Sequence, residues 1–164
     1  INNAMVDLIT DHSGNEELYF LHAMGQYGLW VPEKLKKNGV DTENTSNVEI
    51  REYISDMDVC MAAADLVICR AGASSLCEFQ VMGKPSILIP SPNVAENHQF
   101  YNGKVLSDID AAILIEEKDL NEKTITESFE KLYQNPQLIM DMGQRAKTAY
   151  NPRCVDIIYE NLDL

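Results

Sequence analysis

The sequence predicts an α/β protein, a parallel sheet flanked by helices. Three observations predict it. Short apolar runs recur along the chain, helical patterns separate them, and Gly or Pro closes several of the runs. The chain has 164 residues, of which 45% are hydrophobic, enough for one domain with a core and too few for two large ones.

Residues 1–10 read as a helix because Met5, Leu8 and Ile9 share a face. Residues 17–23 have the apolar and aromatic density of a buried strand. A helix follows over 27–37, with Pro32 favouring a start near Val31. Residues 39–47 are polar and loop-like, 48–53 alternate as a strand, and 57–64 form a short helix. A strand at 66–69 leads into a helix over 74–82, which Gly83 closes. Pro90 ends the apolar strand 86–89, and a helix over 97–106 and a strand over 111–115 come next. The remainder is mainly helical, with breaks at Asn135-Pro136 and Asn151-Pro152. A doubly wound domain normally opens with a strand and a phosphate-binding turn. Here the first element is a helix, so the expectation is a domain lacking its first strand, which would leave a sheet edge open to pairing between chains.

Charge narrows the function classes. Lys and Arg total 13 against 26 Asp and Glu, a formal net charge of −13. Such a chain is a poor ligand for nucleic-acid phosphates. A phosphorylated small molecule needs only a local set of backbone N–H groups, so it stays open. The 24% of charged residues argues against wholesale disorder. No apolar run is long enough to span a membrane and no signal core is visible, which points to a soluble, intracellular protein. Cys60, Cys69, Cys77 and Cys154 have no metal-ligand spacing, and three lie in apolar segments, so they read as reduced core residues. His12, His22 and His98 are dispersed, and no metal is expected.

Three strand-to-helix turns carry the chemistry, since ligands of open α/β sheets bind beyond the carboxyl ends of strands. The first holds Tyr53, Ile54, Ser55 and Asp56. Ser55 or Asp56 is a candidate helix cap, and Tyr53 with Ile54 is either an apolar wall for a flat ring or core. The second runs Cys69-Arg70-Ala71-Gly72-Ala73-Ser74-Ser75-Leu76-Cys77-Glu78. Its small residues let N–H groups approach a phosphate at the positive end of a helix, with Ser74 and Ser75 adding hydroxyls. Glu78 lies one turn further in, where a carboxylate accepts from ribose hydroxyls. The competing reading has Ser74 capping the helix and Glu78 closing a capping box or pairing at the surface. The third turn, 90–102, puts Asn97, His98, Gln99 and Asn102 on the first turns of a helix, and amides both donate to and accept from sugar hydroxyls. A polar loop with capping amides is the alternative.

In combination, DLVICRAGASSLCEFQVMGKPSILIPSPNVAENHQFYN, with EYISDM upstream and INNAM at the start, resembles the C-terminal half of the MurG glycosyltransferase family. The resemblance is strongest over 54–102 and weak over 25–47 and the last helices. It implies a GT-B architecture whose Rossmann-like C-terminal half, here residues 1–164, binds UDP-N-acetylglucosamine. The donor sugar then goes to a lipid-linked muramoyl-pentapeptide, lipid I becoming lipid II, at the cytoplasmic face of the membrane. That chemistry belongs to peptidoglycan synthesis and so to cell shape and division.

By position, the resemblance makes Ile54 the uracil contact through its backbone, with Tyr53 beside it. Ala73, Ser74, Ser75, Leu76, Cys77 and Glu78 hold ribose and diphosphate, and Gln99 with His98 contacts the sugar. Arg70, Gly72 and Asn102 are additional candidates. No metal or cofactor is implied. The general base, the lipid acceptor site and the membrane contact belong to an N-terminal domain not contained in this sequence, so no catalytic residue is expected here and the chain alone should be inactive. Asp110 stands where relatives carry Gly. Two other readings remain: a UDP-N-acetylglucosamine 2-epimerase on the same fold, which would show extra acid/base groups, and a naturally separate donor-binding subunit.

Overall fold

The structure is a computed structural model that describes residues 1–162, apart from the side chains of Cys154 and Ile158. Helices and strands alternate: α1 (Asn2–His12), β1 (Phe20–Ala23), α2 (Val31–Lys37), β2 (Val48–Arg51), α3 (Met57–Ala63), β3 (Val67–Cys69), α4 (Ala73–Met82), β4 (Ser86–Leu88), α5 (His98–Ser107) and β5 (Ala112–Leu114). Three helices follow: α6 (Glu122–Tyr133), α7 (Pro136–Thr148) and α8 (Cys154–Glu160). The chain divides into two compact units, residues 1–63 with 118–131, and residues 64–117 with 132 onward.

All strand pairs are parallel, as the alternating pattern requires. They form two sheets, β1-β2 and β3-β4-β5, instead of the single sheet expected from sequence. No described strand pairs with both β1 and β3, and that is what separates them. β1 also starts later than expected. Residues 15–18 close a turn in which the Leu18 N–H donates to the Asn15 carbonyl and the Glu17 N–H to the Asn15 side chain.

In the first unit, α1 buries Met5, Val6, Leu8 and Ile9 and packs against α2, which buries Val31 and Leu35. His12 joins α1 to α6: its Nδ1 lies 3.0 Å from the Leu8 carbonyl and its Nε2 2.6 Å from the Glu130 carboxylate. Its ring also meets Phe129 edge-on. His22 on β1 is buried beside Asn2. The Asn2 amide donates to the Met24 carbonyl, so its oxygen is the acceptor and His22 Nε2–H the donor at 3.2 Å.

In the second unit, β4 is the central strand and is buried along its whole length. Gly83 takes the left-handed conformation that closes α4. Gly103 is required by closeness instead of by dihedral: a Cβ there would come 2.7 Å from Leu114 and 3.3 Å from Ala71. That contact seats α5 on β5 and beside the turn that enters α4. Among the described cysteines, Cys60 and Cys69 are half-buried, but Cys77 is exposed, which corrects the reading of it as core. Leu76 and Phe79 occupy the inner face of α4, and Cys77 falls between them on the outer one. Cys154 lies outside the described side chains.

Candidate functional site

The carboxyl ends of β3, β4 and β5 carry the second and third turns singled out in the sequence. α4 begins at Ala73 with Gly72 as its N-cap, in extended backbone and without a side-chain cap hydrogen bond. Ser74 therefore does not cap this helix, and the capping-box reading falls with it. The first intrahelical bond runs from the Leu76 N–H to the Gly72 carbonyl, 3.1 Å. The N–H groups of Ala73, Ser74 and Ser75 precede it and have no acceptor within the helix. No acidic residue occupies this first turn. Leu76 is buried and holds the turn in place, while Ala73, Ser74 and Cys77 are exposed. Glu78 is exposed and makes no ion pair or hydrogen bond among the described residues.

Two side chains, Arg70 and Asn102, tie this turn to the rest of the edge, and a third, Gln99, orders the loop beyond β4. Arg70, the first residue past β3, donates through Nη1 to the carbonyls of Ile89 at 3.2 Å and Pro90 at 3.3 Å, and to the carboxylate of Glu117. Asn102 donates from α5 to the Ala71 carbonyl at 3.3 Å. Gln99 accepts through Oε1 from the Ser91 N–H at 2.9 Å, so the amide keeps its two N–H donors free of that bond. His98 is exposed, and its Nδ1 donates to the Ala95 carbonyl at 2.9 Å. The backbone entering α5 is strained: Glu96 and Asn97 both sit at a φ of 52°.

Electrostatics follow these contacts. The Arg70 guanidinium holds the Glu117 carboxyl below its ordinary range. Burial pushes the Cys69 thiol up to about 12, and it donates to the Arg70 carbonyl at 3.1 Å. The first predicted turn lies in the other unit. There Tyr53 is exposed, Ile54 is buried, and Asp56 accepts from Arg51 at 2.8 Å. Sequence reasoning missed Glu117 and the Ser91 N–H. Glu117 is 47 residues from Arg70, and no local pattern links them.

Parallel strands flanked by helices, with the polar turns at their carboxyl ends, define a Rossmann-like α/β protein. The chain belongs to the glycosyltransferase family 28 C-terminal domain family, whose model matches residues 1–155. The resemblance seen in the sequence is thereby borne out at the level of the family. A relative from Desulforamulus reducens is 38% identical over 160 residues, covering 96% of this chain and 43% of its own. One from Caldanaerobacter subterraneus subsp. tengcongensis is 40% identical over 148 residues, covering 90% and 40%. Both carry the name UDP-N-acetylglucosamine--N-acetylmuramyl-(pentapeptide) pyrophosphoryl-undecaprenol N-acetylglucosamine transferase. The crystal structure of Acinetobacter baumannii MurG matches with a TM-score of 0.78 at 25% identity, covering 97% of this chain and 44% of that one. The glycosyltransferase of kitacinnamycin, at 15% identity and a TM-score of 0.65, shares the fold. The chain thus spans less than half the length of the curated relatives it matches.

Proposed function

We propose that this chain is the donor-binding domain of a transferase that moves N-acetylglucosamine from UDP-N-acetylglucosamine to a lipid-linked muramoyl-pentapeptide. The relatives' names supply the substrates, and one observation carries the reading: the uncapped N-terminus of α4, with an unengaged carboxylate one turn inside it. An N-terminus of this kind binds a diphosphate through backbone N–H groups and the helix dipole. Ser74 and Ser75 add hydroxyls. As an acceptor hydroxyl attacks the anomeric carbon, the bond to the diphosphate oxygen breaks and UDP leaves. The same N–H groups then take up the charge that develops on the leaving oxygen.

Glu78 is assigned to the ribose. A carboxylate accepts from two vicinal hydroxyls at once, whereas toward the diphosphate it is repulsive. Gln99 meets the sugar. The uracil assignment of Ile54 and Tyr53 rests on the resemblance alone. The residue that takes the acceptor's proton is none of those described, and the acceptor site, the membrane contact and the place at the cytoplasmic face are assigned to sequence outside this chain. By itself the chain binds UDP and transfers nothing.

Titration of UDP and of its 2′,3′-dideoxy analogue into wild-type protein, Glu78→Gln and Glu78→Ala tests the site. Glu78→Ala costs about 1.5–3 kcal/mol of UDP binding, and Glu78→Gln costs less. The dideoxy analogue binds all three almost equally. An analogue that still separates wild type from Glu78→Ala removes Glu78 from the ribose.

A further inference from the structure

We propose that the Arg70–Glu117 pair is a positioning device that sets the Gln99 amide and, through it, the choice of sugar; this rests on the donor reading above. Arg70 Nη1 holds three strand ends together. It bonds the two residues just past β4, Ile89 and Pro90, and the carboxylate of Glu117 just past β5, from its own place just past β3. The next peptide on the β4 exit is the one that fixes Gln99: the Ser91 N–H donates to Gln99 Oε1 at 2.9 Å. Pro90 and Pro92 flank it. Neither has an N–H, so Ser91 supplies the sole backbone donor in this three-residue stretch.

The consequence is chemical. With its oxygen held by Ser91, the Gln99 amide keeps both N–H donors unengaged, and these suit an acceptor on the sugar. A site built around such a bond discriminates against a sugar that fails to offer it. Arg70 and Glu117 are each about one-third exposed, at 37% and 35% of their side chains. Pairs this open add little to stability. Removing Glu117 therefore loosens the grip of Arg70 on the β4 exit without unfolding the unit.

The test is a double-mutant cycle in the complete transferase, with Glu117→Ala, Gln99→Ala and both. Three quantities are read: affinity for UDP, kcat/KM for UDP-N-acetylglucosamine, and kcat/KM for whichever of UDP-glucose and UDP-N-acetylgalactosamine the wild type rejects more strongly. Glu117→Ala is expected to lower the preference about tenfold while UDP affinity stays within about twofold. Glu117→Gln, which keeps an acceptor for Arg70, retains most of the preference. In the Gln99→Ala background the second change adds less than about twofold. Additive losses, an unchanged preference, or an equal loss of UDP affinity each overturn the inference; the last would mean that Arg70 acts on the diphosphate directly. A wild-type enzyme that does not use UDP-N-acetylglucosamine fails the donor reading itself, and this inference with it.

Discussion

The two units treat their polar groups in opposite ways. In the first, polar side chains are closed off. His12 lies against Leu8 and Glu130, His22 donates to Asn2, and Arg51 is shared between Glu49 and Asp56. In the second, Glu78, one turn inside the entry to α4, is a carboxylate without a partner among the described residues. Backbone strain divides the same way. Among the described residues, every non-glycine at positive φ belongs to the second unit: Glu96, Asn97 and Asp110. Closed networks stabilise a fold, whereas open donors and strained turns cost stability and persist where a ligand uses them. The contrast supports the proposed diphosphate site in the second unit, while in the first Tyr53 is exposed just past β2.

The largest expected effect breaks the closed side with acid. Burial lowers the His22 pKa from 6.5 to about 4. Between those values the unfolded chain binds the proton and the folded chain does not. Stability is therefore full above about pH 6.5 and falls as the pH drops toward 4. The interval corresponds to about 3 kcal/mol, an upper figure. Denaturant unfolding of wild type and His22→Gln across this range measures it: the difference between the two should shrink by that amount toward pH 4. Parallel profiles would show that His22 is not held neutral by the fold.

A paired substitution sharpens the comparison. His12→Ala removes a hydrogen bond to a carboxylate and an edge contact with Phe129, and should cost about 2 kcal/mol, discounted because Glu130 is one-third exposed. Glu78→Ala should change stability by less than about 0.5 kcal/mol, because no described contact is lost. Equal losses in thermal unfolding would erase the distinction between the closed and open regions.

Local chemistry made most of the fold legible. Gly83 closes α4, and Pro32 and Pro136 sit in the first turns of α2 and α7, as those residue types dictate. What sequence did not show lies between elements. The split into two sheets is a matter of which strands pair, and periodicity does not encode pairing. The exposure of Cys77 was hidden because apolar residues run around α4, with Leu76 and Phe79 inward and Val81 outward. At the site, spacing singled out the turn at 73–78 but left open whether Ser74 caps the helix, because serine before a helix is a common cap and the extended Gly72 decides otherwise. The occupied oxygen of Gln99 was not readable, because its donor Ser91 is identified by a backbone N–H that any residue but proline would carry.

The smallest expected effect probes the strain in the second unit. Asp110 has a φ of 53°, and its N–H donates to the Ser107 carbonyl as the chain leaves α5 for β5. The Arg145 guanidinium bonds the Asp110 carbonyl at 3.3 Å, a contact any residue at this position keeps. The left-handed region costs an L-residue about 1 kcal/mol, less for Asp than for most, and glycine pays nothing there. Glycine also gains freedom in the unfolded chain, which offsets part of the benefit. Asp110→Gly should therefore stabilise by about 0.5 kcal/mol. The chain carries a net charge of −13, so loss of a carboxylate alone would also help. Asp110→Asn separates the two causes, since it removes the charge and keeps the side chain on the same backbone. If thermal unfolding shows Asn matching Gly, repulsion and not backbone strain is the cost at this turn, and Asp110 no longer belongs with Glu96 and Asn97.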